Sequence, residues 1–344
     1  MKKIEKSEKE QTKINPFLIG MIFLIIFAIP FSYIQFWNDN INIHQEINET
    51  DYKLVEPNEF ICNFTLSVHP SSTPRDVVIF YTNIITNRLF LAIQSLRSTG
   101  AKCRIVLLVS SDFQPTQKFI KMCELLKVEI VGNCDETKGR NFVPHMLRYE
   151  YELEWLKKHS NEISRVFHSD SLDVFFQGDP FTESIPSDSL VFVIEPHCIK
   201  MCGWNLAWIE ECYGKQIQHQ MENHFIICSG SMGGNVNYYI KLLELMLSQK
   251  EWETCYSPSK DQPIVNYLVW NGFVDEIGIK YKLTGCENGL FTAQWCIINS
   301  KPVINNNSLV TTEYGSIPSF VHQYNRFPEI DRNYHQMCGI EYQQ

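Results

Sequence analysis

Residues 165–181 read RVFHSDSLDVFFQGDPF. The first four, RVFH, read as a short strand, and Asp170 and Asp173 follow almost at once. In open α/β sheets, ligands bind outside the carboxyl ends of the strands, so chemistry is expected here. Two close carboxylates at a strand end suit a hard divalent cation, which takes oxygen ligands and bridges phosphates. Such a cation neutralises a diphosphate leaving group. By themselves the same residues also fit a solvated loop or a helix cap.

Upstream, strands and helices alternate. Residues 77–81 (VVIFY), 103–109 (CRIVLLV) and 128–131 read as buried strands. Between them, residues 88–97 place Leu89, Ile93 and Leu96 on one helical face, stopped by Gly100. Pro115 opens a second helix with Phe119, Met122, Leu125 and Leu126 on one side. Residues 142–158 form a longer amphipathic helix. Downstream of Phe181 the alternation loosens, with strands expected near 190–195, 225–229 and 320–322 and helices over 236–247 and 261–270. This pattern predicts an α/β fold with a mostly parallel central sheet, in a single domain.

Further out, residues 17–37 contain an uncharged run from Phe17 to Ile34, long enough for a transmembrane helix. Tyr33, Phe36 and Trp37 close it with interfacial rings. Residues 1–16 hold five Lys against three Glu, and Asp39, Glu46, Glu49 and Asp51 lie beyond the run. The positive-inside rule therefore predicts a cytosolic tail (1–16), a signal anchor (17–37), a luminal stem (38–74) and a luminal domain (75–344). A cleaved signal peptide is the alternative, but small residues at a cleavage site are missing after the apolar run. Sequons at Asn48, Asn63 and Asn306 agree with a luminal location. All 12 Cys lie beyond the anchor, so several disulfides are expected. Cys198 and Cys202 lack a second ligand pair at matching spacing, which favours a disulfide or buried thiols over a metal knuckle. The net charge of −9 weighs against a nucleic-acid partner.

Four segments in register carry a resemblance. Asp170-x-x-Asp173 followed by Phe176-Gln177 and Asp179-Pro180-Phe181 resembles the metal-binding segment of GT-A-fold, Rossmann-like nucleotide-diphospho-sugar glycosyltransferases. These are distantly similar to the glycogenin/galactosyltransferase group called family eight. Residues 228–234 (CSGSMGG) resemble the stretch that lines the sugar pocket, residues 261–266 (DQPIVN) the D-Q-x-x-x-N pattern, and residues 321–326 (VHQYNR) the carboxyl-terminal His segment. The usual Asp-x-Asp is Asp-x-x-Asp here, which leaves open which carboxylate contacts the metal.

The resemblance implies roles. Asp170, Asp173 and His322 would hold a divalent cation, manganese or magnesium, with Asp170 also meeting the nucleotide ribose. Asp261 and Gln262 would be the catalytic pair, contacting sugar hydroxyls, with Asp261 beside the anomeric carbon. Ser229, Gly230, Gly233 and Asn266 would line the donor pocket, with Gly234 beside them, although the glycines also fit a strand-to-helix turn. Arg148 would reach the diphosphate, and Thr82 and Asn83 would meet the base by topology alone. Gln177, Asp179, Pro180 and Phe181 would be scaffold, and His168 a core histidine or a partner behind the metal. Trp204, Trp208 and Tyr213 fit either an acceptor-facing loop or the core. The expected protein is a single-pass type II transferase of the Golgi or ER membrane, anchored in the lipid bilayer through 17–37. It would move sugar from a UDP- or GDP-sugar to a glycan, glycoprotein or glycolipid acceptor. Alternatives are a non-catalytic, membrane-anchored sugar- or nucleotide-binding protein and a two-carboxylate glycosidase. No Walker A loop, GxGxxG after the first strand or GxSxG elbow is present.

Overall fold

A computed structural model describes residues 58–342, apart from 65, 67, 138, 141, 288 and 298–302. The expected tail, the 17–37 anchor, Asn48 and most of the stem lie outside the described residues. Among the described residues no helix is long and apolar enough to cross a membrane. All of them belong to one compact unit.

The chain runs β1 (Asp76–Thr82), α1 (Asn87–Ser98), β2 (Arg104–Val109), α2 (Gln117–Leu125), β3 (Val128–Val131), α3 (Arg148–His159) and β4 (Arg165–Ser169). Then follow β5 (Val174–Phe176), β6 (Leu190–Cys198), α4 (Gly203–Met221), β7 (Phe225–Asn235), α5 (Val236–Leu247) and α6 (Asp261–Trp270). The remainder is β8 (Tyr281–Thr284), β9 (Leu290–Thr292), β10 (Val303–Ile304), β11 (Val310–Thr311), β12 (Phe320–His322) and α7 (Pro328–Met337). Short helical turns link several of these.

The central sheet has the order β3-β2-β1-β4-β7-β6-β8. β1 pairs parallel with β2 and β4, β2 with β3, and β6 with β8, while β7 runs against both β4 and β6. The sheet is therefore mostly parallel, as the alternation predicted. Helices cover both faces, so alternate β1 residues enter different cores. Val77, Ile79 and Tyr81 join one with Trp155 and Leu242, and Val78 and Phe80 join the other with Leu89 and Phe119. Burial on both faces explains the unbroken apolar runs of β1 and β2. Thr86 and Thr116 start α1 and α2 by accepting the amides of Leu89 and Phe119.

Two expectations need correction. The described residues among 58–74, read as loose stem, are tied to the domain at several points. Phe60 and Cys62 are buried, Cys62 is bridged to Cys338, and the amides of Ser71 and Ser72 donate to Asp179 Oδ2 at 3.0 and 2.7 Å. The polar composition hid these partners because they lie far away in sequence. The expected break after Ser229 is also absent, since β7 continues through the glycines to Asn235. Of its three glycines only Gly234 has positive φ, at 139°. What these positions require is closeness. A Cβ at Gly233 would stand 2.2 Å from Val166 O, and one at Gly234 would stand 2.1 Å from Ser189 O.

A smaller sheet, β5-β12-β9, stands beside the first, with β12 antiparallel to β5 and parallel to β9. Disulfides also join Cys212 to Cys255 and Cys286 to Cys296, while Cys198 and Cys202 are unbridged.

Candidate functional site

Two strand pairings build the site. β4 runs beside β7 so that Ser169 opposes Ser231 and the Asp170 amide donates to Gly230 O at 2.9 Å. β5 runs beside β12 so that His322 opposes Val174, which follows Asp173. Gln323 then turns the chain with φ 57°, its amide donating to Asp173 O at 2.8 Å.

The result brings His322 Nε2 to 3.3 Å from Asp170 Oδ2 and 3.5 Å from Asp173 Oδ1. One ligand atom from each of the three residues lies within 4.8 Å of the others. His322 is 1 % exposed, and its Nε2 has no hydrogen-bond partner. Burial disfavours charge on this ring, but the Cys228 sulfur and the Asp173 and Asp170 carboxylates push its pKa well above the usual imidazole value. Burial likewise opposes ionisation of Asp170, but Arg148 and then His322 hold it well below the usual carboxylate range. A buried imidazole nitrogen facing two carboxylates with no hydrogen-bond partner fits a divalent cation in oxygen and nitrogen ligands.

Arg148 links this triad to a second carboxylate. Its Nη1 donates to Asp170 Oδ1 at 2.8 Å and its Nη2 to Asp261 Oδ2 at 3.0 Å. Tyr149 adds its hydroxyl to Asp261 Oδ2 at 2.6 Å. Asp261, the first residue of α6, directs its carboxylate to these partners and does not cap its own helix. His168 stacks on Tyr149 with ring centroids 5.0 Å apart and pairs with buried Glu152 at 2.8 Å, which braces this corner from behind.

Gln262 continues the line of contacts. Its Oε1 accepts the Ser229 amide at 3.2 Å and its Nε2 donates to Asn205 Oδ1 at 2.9 Å. Asn266 lies deeper, fully buried, and exchanges two hydrogen bonds with the Ile227 backbone at 2.9 and 2.8 Å. It anchors α6 to β7.

Asp170, Asp173, Arg148, Gly230, Ser229, Asp261, Gln262 and His322 thus come together. Gly233 stands apart, pressed against the β4 backbone. Thr82 ends β1, and its hydroxyl donates to Ile84 O at 2.7 Å, while Asn83 is exposed. Gln177 is scaffold, as expected: its amide is fully used by Val310, Pro318 and Tyr334. Trp204 is 73 % exposed, so it is not core, whereas Tyr213 packs on Tyr267 with ring centroids 4.1 Å apart. Asn63 and Asn306 are both exposed, as sequons require. Sequence reasoning missed Tyr149, Asn205 and Glu152, which belong to no motif and acquire their places only through packing.

No protein-family model matches the chain, and no curated protein matches it.

Proposed function

We propose that the chain is a type II membrane glycosyltransferase of the Golgi or ER, with a GT-A-like luminal domain. It takes a UDP- or GDP-sugar and transfers the sugar to a glycan, glycoprotein or glycolipid acceptor. The observation that carries this reading is the meeting of Asp170, Asp173 and the unpartnered His322 Nε2 at the carboxyl edge of a mostly parallel sheet. Asp170, Asp173 and His322 would hold manganese or magnesium, which when bound supplies charge neutralisation for a diphosphate leaving group. Arg148 fixes the spacing between the triad and Asp261 by bonding both carboxylates. Asp261, oriented by Tyr149 and Arg148, and Gln262, oriented by Asn205, would contact sugar hydroxyls.

The glycosidase alternative needs one carboxyl that stays protonated. Of the two carboxylates joined by Arg148, Asp170 is not that group, because Arg148 holds it well below the usual range against the opposing effect of burial.

The test is a thermal-shift titration of the full-length chain in mild detergent with manganese and either UDP or GDP, followed by hydrolysis of the matching nucleotide sugars. One nucleotide is expected to stabilise the protein only when the metal is present, by about 2.7 kcal/mol at a hundredfold excess over Kd. Asp170→Ala and Asp173→Ala are expected to abolish both readouts. If neither nucleotide shifts the transition with manganese, the reading fails.

A further inference from the structure

Beside the triad lies a group of buried polar side chains that the proposed chemistry does not use. Glu195 pairs with Ile226 across β6 and β7. Cys228, two residues along β7, faces the same side of the sheet, with its sulfur 3.6 Å from His322 Nδ1. His197, the next inward-facing residue of β6, has its Nε2 3.9 Å from Glu195 Oε2 and packs tilted against Trp295, with ring centroids 3.6 Å apart and planes 30° from parallel. Thr292 pairs with His322 in the β9–β12 register, three residues before Trp295.

Two of these groups, His197 and Thr292, have no hydrogen-bond partner. Both ring nitrogens of His197 and the Thr292 hydroxyl are buried without partners, in residues 7 % and 1 % exposed. An unmet buried polar group costs about 1–3 kcal/mol, so such a cluster in one place calls for a ligand. The set is also uncharged. Burial pushes the Glu195 carboxyl up to about 8, against the opposing effect of His322, and pushes His197 down. A protonated carboxyl, a neutral imidazole and a hydroxyl offer both donors and acceptors, which suits sugar hydroxyls and gives no counter-charge to an anion.

We propose that Glu195, His197 and Thr292, with Trp295 as the stacking wall, form a subsite for the hydroxyls of a neutral sugar acceptor. The assignment of this sugar as acceptor rests on the glycosyltransferase reading. The subsite itself does not, and the experiment separates the two.

Ligand-observed saturation-transfer NMR is run on the full-length chain in detergent with manganese and UDP or GDP. The probes are the methyl glycosides of glucose, galactose, mannose and N-acetylglucosamine. At least one glycoside is expected to receive saturation from the wild-type protein. His197→Phe keeps a ring against Trp295 and removes both nitrogens, and Thr292→Val removes only the hydroxyl. Each is expected to weaken sugar binding about tenfold or more. Both are expected to keep the nucleotide–manganese shift and to leave Tm unchanged or higher, because an unmet polar group is gone. Lowered Tm with unchanged sugar binding would mean a structural role and would overturn the proposal. So would the absence of saturation for all four glycosides. Sugar binding without any nucleotide–manganese shift would support the subsite and sink the transferase reading.

Discussion

A Cβ at Gly230 would stand 2.3 Å from Asp170 Oδ2 and 2.8 Å from His322 Cε1. The residue lies in a regular strand with ordinary φ, so its requirement is space for the triad, not conformational freedom. Gly230→Ala is expected to displace the Asp170 carboxylate. It should cost about 1–3 kcal/mol of stability by overpacking, and it should reduce manganese affinity more than tenfold by calorimetry. Unchanged affinity would show that the triad is not the cation site. Arg148 has the opposite task, since its side chain is 13 % exposed and bonds two carboxylates. Arg148→Met leaves both acids without their cation, and the expected loss in urea unfolding is about 3–5 kcal/mol. Arg148→Lys should restore only part of it, because one ammonium does not span both acids as a planar fork does. Asp170, Asp173, Asp261 and His322 were singled out in the sequence through the four segments that resemble a known family, since the residues by themselves also fit a solvated loop, a helix start or a packed histidine. Tyr149 and Glu195 were not, because a tyrosine on a helix and a glutamate in an apolar run acquire meaning only from what packs on them.

Among the elements, the strands and helices that bury a recurring apolar face were readable, whereas α4, the longest helix at 19 residues, was not, because only Asn205, Ile209 and Met221 of it are buried. β5 and β9 were not, with three residues each, since so short a pairing is set by its neighbours. β7 was cut short in the sequence reading because glycines are usual breakers. Here Gly233 and Gly234 instead let β4, β7 and β6 approach closely around the site. The start of the domain was misplaced for a related reason. The polar segment before β1 is held by the Cys62–Cys338 disulfide, which closes a loop of 276 residues, and by the Asn63 amide donating to Met337 O at 2.8 Å. A Cys62→Ser, Cys338→Ser double variant is expected to lose about 2–5 kcal/mol in urea unfolding. Under reducing conditions the wild type should lose more than this, because the other two disulfides are reduced as well. No change in the double variant would mean that the described residues before β1 are held by hydrogen bonds and packing alone.

For the molecule as a whole, Glu195 makes stability depend on pH in a direction opposite to that of a salt-bridged carboxylate. Its folded-state pKa is raised by burial to about 8 from 4.5, with His322 acting the other way. Below about pH 4.5 the group is protonated in both states and adds no pH dependence. Between the two values the unfolded chain releases the proton while the folded chain retains it, so unfolding is increasingly favoured. Above about 8 both states are ionised and the loss is complete. The chain already carries a net charge of −9, so placing one more negative charge beneath its surface has no cationic excess to offset it. Glu195→Gln removes this proton and keeps the shape of the side chain. Urea unfolding of both proteins at about pH 5 and about pH 9 cancels the other titrating groups, since they are common to the pair. The variant is expected to gain on the wild type as pH rises, by a few kcal/mol up to a ceiling of roughly 5 kcal/mol. A stability difference that stays flat over that interval would mean that the Glu195 carboxyl ionises normally in the folded protein.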